Sequence, residues 1–90
     1  MGTFHQNKSE LHGITVIVET DGVEMFVGRC DDIDEREVIL LDADVHREGE
    51  DESSRSEYLE KAARFGIWKK FDRVVIPTGR VTTVRRLGEM

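Results

Sequence analysis

Short apolar segments alternate with charged or glycine-containing stretches along the chain, and the first two predict a β-hairpin. Ile14 to Thr20 is rich in β-branched residues, which favour strands. Asp21-Gly22 follows it as a two-residue turn signal, because glycine tolerates the positive φ of a tight turn. Val23 to Cys30 then predicts the returning strand, and Gly28 inside it predicts a bend or a bulge.

The middle of the chain predicts a buried strand followed by an acidic loop. Residues 31–37 form a charged connection, and the uninterrupted apolar run Val38 to Leu41 predicts a central strand that continues to His46. Residues 47–56 contain no apolar side chain, so we expect a solvated loop there.

A helix near residues 55–65 is predicted next. Ser54 and Glu57 have the spacing of a capping box, and Gly66 is a natural stop. The apolar stripe of this helix consists of Tyr58, Leu59, Ala62, Ala63 and Phe65.

The last third of the chain predicts two more strands. Residues 73–76 form the fourth, Pro77-Thr78-Gly79 stops it, and residues 81–87 form the fifth. Between the helix and the fourth strand, Ile67, Trp68 and Phe71 are interpreted as core or interface residues, and Trp68 and Phe71 as packing anchors rather than base-stacking platforms.

These elements predict a mainly β protein, a small, strongly bent barrel of five strands whose closure removes the sheet edges. A chain of 90 residues has room for one domain, residues 1–90, with residues 1–9 as a flexible arm and a short helical turn at Ser9 to His12. Apolar runs of about five residues are far below the ~20 that span a bilayer, and there is no apolar signal-peptide region. The single cysteine, Cys30, excludes a disulfide scaffold and is consistent with a reducing cytoplasm.

Charge is distributed unevenly, which changes the meaning of the net value of −6. Residues 1–60 carry 17 acidic and five basic side chains, whereas residues 61–90 carry eight basic and two acidic ones. A chain polarised in this way can pair with itself, with copies of itself or with an anion. Pairing of the bases with the acidic first 60 residues is the main alternative to anion binding.

Two segments together resemble the Sm/LSm family, to which bacterial Hfq belongs. In residues 14–43 the matching features are the apolar strand into Asp21-Gly22, the strand to Gly28, Ile33-Asp34, and the apolar run that ends in Asp42-Ala43. Residues 74–84, VVIPTGRVTTV, are similar to the short second motif, with a glycine turn between two apolar strands. Together the two segments cover roughly half of the chain.

This resemblance implies an Sm-like fold, subunits that join edge to edge into a homo-oligomeric ring, and binding of single-stranded, often uridine-rich RNA by two loops. We therefore expect a non-enzymatic module without a cofactor, which binds single-stranded nucleic acid, RNA in the first place, mainly by phosphate contacts. The candidate residues are Arg36, Gly79 and Arg80 in the loops, with Lys69, Lys70 and Arg73 as contacts to the nucleic-acid backbone.

A structural or protein-interaction ring without RNA binding is the alternative. Asp34 is followed by Glu35-Arg36-Glu37, without the aromatic residue or the asparagine that the family places there, and Thr78-Gly79-Arg80 also lacks an asparagine. The acidic residues 47–52 favour the same alternative.

Metal-dependent catalysis is the third and weakest hypothesis. Asp42, Asp44 and His46 alternate, so on a regular strand they would share one face, as metal ligands can. The acidic run in residues 31–35 could serve acid–base chemistry, although such runs are usually solvated turns. The sequence has no glycine-rich phosphate loop and no Ser-His-Asp order, and Cys30 lies in an apolar strand.

Overall fold

Five antiparallel strands and one helix form the fold in a computed structural model, which describes residues 11–47, 49 and 54–89. The elements are β1 (Thr15–Thr20), β2 (Glu24–Ile33), β3 (Glu37–Arg47), α1 (Arg55–Phe65), β4 (Phe71–Pro77) and β5 (Val81–Arg86), with 3₁₀ turns at Thr78–Arg80 and Leu87–Glu89. The predicted mainly β architecture, with five strands in a bent sheet and one helix near residues 55–65, is confirmed. No helix in this part of the chain is long and apolar enough to cross a bilayer.

The sheet is open, with the strand order β4-β3-β2-β1-β5. Every pairing is antiparallel, and among the described residues β4 pairs only with β3 and β5 only with β1. The strongly bent five-stranded fold is as predicted, but the expected removal of the sheet edges is not seen among the described residues, because β4 and β5 do not pair with each other there. β4 and β5 each keep one edge on which backbone N–H and C=O groups pair with no strand among the described residues.

The second strand is longer than the sequence indicates. Asp31 to Ile33 belong to β2, and Asp32 and Ile33 pair with Ile39 and Val38 of β3, so the charged connection is reduced to residues 34–36. The apolar pattern of the sequence is interrupted there because two acidic side chains, Asp31 and Asp32, lie at half-buried positions of the strand. Leu11 is helical and a turn follows it, as expected, whereas residues 1–10 and most of the acidic loop lie outside the described residues.

Apolar side chains are buried on both faces of the central strands. On one face, Val16, Val18 and Leu40 belong to a cluster inside the curve of the sheet. On the other face, Ile17 and residues of β2 are covered by α1. This second cluster consists of Ile17, Met25, Val27, Leu59, Ala62 and Leu87. The helix thus takes the place of a second sheet over β1 and β2.

Gly28 allows the sheet to bend where β2 pairs with β3. The register shifts between Val27 and Arg29, as the glycine predicts. A Cβ at Gly28 would lie 2.8 Å from the Cβ and 3.0 Å from the Cα of Ala43, closer than carbon atoms pack. On β3, Asp42 has a φ of 51°, which interrupts the regular alternation of side chains there. The two irregularities together bend the strands over the inner core.

Both predicted helix caps are present. The backbone N–H of Glu57 donates to Ser54 Oγ over 3.1 Å, and the N–H of Ser54 donates to Glu57 Oε1 over 3.0 Å. Gly66 has a φ of 84°, and its N–H donates to the carbonyl of Ala62 over 2.9 Å. The start and the end of α1 are therefore encoded locally.

The aromatic residues around the end of α1 are not core residues in this chain. Phe65, a member of the predicted apolar stripe, is 80% exposed, and Trp68 is 87% exposed. Phe71 is 41% exposed at the start of β4. The interpretation of Trp68 and Phe71 as core is wrong, because the segment after Gly66 leads to the outer edge of the sheet instead of crossing beneath it. An interface role for them stays a prediction.

Substitution of Gly28 by alanine is expected to lower the free energy of unfolding by about 1–3 kcal/mol, because the new methyl group must displace Ala43 or the backbone of β3. Urea denaturation measures the change. Gly79→Ala is the matched control, since a Cβ at Gly79 meets nothing within 4 Å, and it should change the unfolding free energy by less than about 0.5 kcal/mol. Equal stability of the two variants would contradict the close approach at Gly28.

Candidate nucleic-acid interface

The β2–β3 loop and the β4–β5 turn are bonded to each other. The backbone N–H of Thr78 donates to the carbonyl of Arg36 over 2.8 Å, and Thr78 Oγ1 donates to the carbonyl of Asp34 over 3.2 Å. The Asp34 carboxylate accepts the N–H groups of Arg36 and Glu37 over 2.8 and 2.9 Å, which fixes the first loop. We call residues 34–36 and 78–80 together the two-loop platform.

Arg36 and Gly79 are the exposed parts of this platform. Within the described residues the Arg36 guanidinium makes no ion pair, although Glu35 and Glu37 flank it in the sequence. A Cβ at Gly79 would have no atom within 4 Å, so the backbone there is open to a molecule outside the chain. A planar guanidinium beside accessible backbone can bind a phosphate or stack on a base.

Arg80 belongs to the platform by its backbone, whereas its side chain extends toward the β1–β2 hairpin. Its Nε lies 3.2 Å from Asp21 Oδ1, and its Nη2 lies 3.5 Å from Glu24 Oε1. The Arg80 carbonyl also accepts the N–H of Asp21 over 2.9 Å. Two carboxylates thus compete with any phosphate for this guanidinium.

Lys69 and Lys70 lie at the opposite end of β4. The Lys69 ammonium is 2.9 Å from Asp72 and 3.8 Å from Asp42, and the Lys70 ammonium is 3.5 Å from Asp44. The hydrogen bond with Asp72 raises the pKa of Lys69, and the same bond lowers the pKa of Asp72, so both remain charged over a wide pH range. Both lysines are therefore already paired with acids.

Arg73 is the third base of this second group. It is exposed on β4, and in the part of the chain that is described it forms no ion pair. β4 has seven residues, so at about 3.3 Å per residue its two ends lie about 20 Å apart. The six predicted residues therefore do not form one patch: Arg36, Gly79 and Arg80 are at one end of β4, while Lys69, Lys70 and Arg73 are at or near the other.

Pairing between the basic end of the chain and its acidic first part extends to β5. The Arg85 guanidinium donates to Glu19 over 2.7 Å, and Glu19 also accepts from Arg55 over 3.3 Å. Bases after residue 60 were expected to pair with acids in the first 60 residues. Four of them do so: Lys69, Lys70, Arg80 and Arg85. Much of the basic charge is consequently balanced inside one subunit.

Asp42, Asp44 and His46, the residues of the metal hypothesis, do not converge on one site. Asp42 is half exposed and bonds to Arg29 at 3.1 Å, whereas Asp44 is buried and accepts the Tyr58 hydroxyl over 2.7 Å. The His46 ring stacks on the Tyr58 ring with a centroid distance of 5.0 Å. The described residues include no group of three or more side chains arranged to hold a metal ion. The prediction that these three side chains share one face of the strand is wrong, because the positive φ of Asp42 interrupts the alternation of side chains along β3.

The thiol of Cys30 is unsuited to nucleophilic chemistry. Burial, together with the nearby negative charges of Asp32 and Asp31, raises its pKa to about 11. The thiol therefore stays protonated at neutral pH and acts as a small apolar side chain, as its position in the strand indicates.

Two contacts of this region are not predicted from the sequence. Thr78 bonds the two loops together, and Tyr58 attaches α1 to β3 through Asp44. For the second contact a signal exists, because an aspartate inside an apolar strand needs a buried hydrogen-bond donor. Nothing in the sequence around Thr78 distinguishes it from any other turn threonine.

Comparison with solved structures identifies the same fold in an Sm protein of Pyrococcus abyssii, whose structure is of a complex with a uridine heptamer. The two chains are 20% identical, the match covers 87% of this chain and 89% of the other, and the TM-score is 0.61. No family model matches the sequence, and no curated protein sequence matches it. The fold is thus Sm-like, and nothing in these comparisons points to Hfq in particular.

The contact between Tyr58 and Asp44 has a measurable consequence at alkaline pH. Burial and the hydrogen bond to Asp44 raise the pKa of Tyr58, the only tyrosine of the chain. The unfolded chain releases this proton near pH ~10, so the stabilisation is complete below that pH and is lost as the pH rises toward the folded pKa. We expect the native protein to show little tyrosinate absorbance at pH ~10 and to gain it only as it unfolds. Free titration of the native protein near pH ~10 would show that the bond is absent.

Proposed function

We propose that this chain is a ring-forming Sm-like module that binds single-stranded nucleic acid, RNA in the first place, mainly through phosphate contacts. The observation that carries the proposal is the two-loop platform, in which hydrogen bonds from Thr78 hold Arg36 and Gly79 together at the surface. The Sm protein with the same fold was solved with a uridine heptamer. In this proposal the chain has no catalytic role, needs no cofactor and works in the cytoplasm.

Assembly is supported by the two open strand edges. β4 and β5 lie at opposite ends of the sheet order, so the free edge of one copy can pair with the free edge of the next. Such a head-to-tail contact forms a ring when its rotation closes. A ring would bring several copies of Arg36 together, which compensates for the weak charge of a single platform.

The phosphate contacts are expected to differ in strength. Arg36 and Arg73 carry guanidinium groups without an ion pair among the described residues, so they can bind a phosphate directly. Arg80, Lys69 and Lys70 must first exchange a carboxylate for a phosphate, which reduces their net contribution. Arg36 is therefore the main contact of the platform, and Arg73 is the main contact beyond it.

A structural or protein-interaction ring without RNA binding is the second candidate. The ion pairs of Arg80 with Asp21 and Glu24 favour it, because they neutralise one of the two basic side chains of the platform. Glu35 and Glu37 add negative charge next to the other one.

Native mass and binding of labelled uridine-rich and adenosine-rich single strands together separate the two candidates. We expect an oligomer whose affinity for RNA falls steeply between roughly 50 and 200 mM salt, because counterions released from the phosphates drive the association. A ring that binds neither strand would favour the structural candidate, and a monomer, or an affinity independent of salt, would contradict the proposal.

Arg36→Gln tests the platform itself. Loss of one phosphate contact per subunit should weaken RNA binding and reduce the magnitude of the salt slope by about 0.7 for each contact removed from the bound strand. Lys61→Gln is the matched control, because it removes the same charge from an exposed position of α1 outside the platform. Equal effects of the two variants would mean that only net charge matters, and would count against a site at Arg36.

A further inference from the structure

An exposed aromatic side chain lies beside the open edge of β4. Trp68 is 87% exposed, in the segment between α1 and β4, and Phe71 and Val75 on the strand are 41% and 42% exposed. Large apolar side chains exposed together next to an unpaired strand are typical of a surface that another protein covers. Tryptophan is also the residue type most enriched among the dominant contacts of interfaces.

A groove with a volume of about 520 Å³ lies at the other edge of the sheet, between α1 and the end of β5. Leu59 and Ala63 supply apolar surface, and polar groups surround it. The lining residues are Ser56, Leu59, Glu60, Ala63, Arg64 and Arg85. We call this surface the α1–β5 groove.

We infer that Trp68 of one copy docks into the α1–β5 groove of the next copy in the assembly. This inference rests on the proposed assembly. It adds a side-chain contact, between Trp68 and the α1–β5 groove, to the pairing of the strand edges. Trp68 adjoins the β4 edge and the groove adjoins the β5 edge, at opposite ends of the sheet order, so the two surfaces of one chain lie apart.

The direction of the strands brings the two surfaces together between copies. All four pairings in the sheet are antiparallel, so we expect the β4 edge of one copy to join the β5 edge of the next in the same way. Antiparallel pairing places the start of β4, which follows Trp68, beside the end of β5. Arg85 lies at that end of β5 and lines the groove.

The groove has the chemistry that an indole requires. Leu59 and Ala63 can contact the ring, and the guanidinium groups of Arg64 and Arg85 can lie over an aromatic face. A buried indole N–H needs an acceptor, and the Glu60 carboxylate offers one at the groove wall.

Charge complementarity supports a second copy as the occupant. Glu60 at the groove and Arg73 on β4 are oppositely charged, and neither forms an ion pair within the described ranges. Edge pairing of two copies would bring β4 of one alongside the groove of the other. A nucleic-acid base is a less suitable occupant, because the platform precedes β5 whereas the groove adjoins Arg85 near the end of that strand, about 17 Å away.

Fluorescence of the full chain tests the inference directly, since Trp68 is the only tryptophan. Emission and acrylamide quenching are measured across a dilution series whose oligomeric state is followed by native mass, with N-acetyltryptophanamide as the reference for full exposure. We expect the emission to shift to the blue and quenching to fall over the concentrations at which the assembly forms, without RNA.

Variants show whether the contact stabilises the assembly. Trp68→Ala and Ala63→Arg, which fills the groove from an exposed helix position, should each raise the concentration for half-assembly by about tenfold or more. Val23→Ala, at an exposed apolar residue of the β1–β2 hairpin, should leave that concentration unchanged within about twofold.

The outcomes separate this inference from the proposed function. An assembly in which Trp68 is quenched as readily as the reference compound overturns the inference and leaves the ring and its RNA binding intact. A change in Trp68 fluorescence that requires RNA also overturns it, in favour of base stacking. A chain that stays monomeric at every concentration contradicts the inference and the proposed function together.

Discussion

The unsatisfied edges of the sheet are the constraint on which the behaviour of this protein depends. Within the described residues, β4 and β5 each have a strand partner on one side only. Peptide groups at a sheet edge form a template for another strand, and proteins usually protect such edges or use them. Here the register of β2 and β3 shifts at Gly28, and residues of both edge strands contribute to the inner core. Edge pairing between copies would extend the sheet without a change in the fold of the subunit.

Many of the basic side chains form ion pairs within the subunit, which reduces the positive charge that is available to a ligand. The excess of bases after residue 60 first suggests a surface for phosphates, but several of these bases bond to acids earlier in the same chain. Arg80 with Asp21, and Arg85 with Glu19, tie β5 and the turn before it to the first hairpin. These pairs are partly exposed, so each adds little stability. Their larger effect is to reduce the local positive field, which leaves Arg36 as the distinctive basic group of the platform.

Local signals in the sequence predicted most of the fold. The hairpin of β1 and β2, the bend at Gly28 and both caps of α1 depend on a few adjacent residues, and the structure has all of them. The two-residue turn expected at Asp21-Gly22 is wrong in detail, because residues 21–23 form the connection and Gly22 does not have a positive φ. Properties that depend on distant residues could not be predicted in the same way. Trp68 is exposed because the chain after Gly66 runs to the outer edge of the sheet, and an apolar residue type alone does not predict that path. For the candidate site, the sequence identified both loops, but the direction of the Arg80 side chain depends on acids almost 60 positions away.

Hydrogen exchange of the backbone amides in β4 and β5, measured over a range of protein concentrations, tests the central claim most directly. The account predicts that outward-facing amides of both strands exchange rapidly at low concentration and become protected together as the chain assembles, while amides between β2 and β3 are protected throughout. Protection of only one of the two edge strands, or rapid exchange at both edges in the assembled protein, would contradict it.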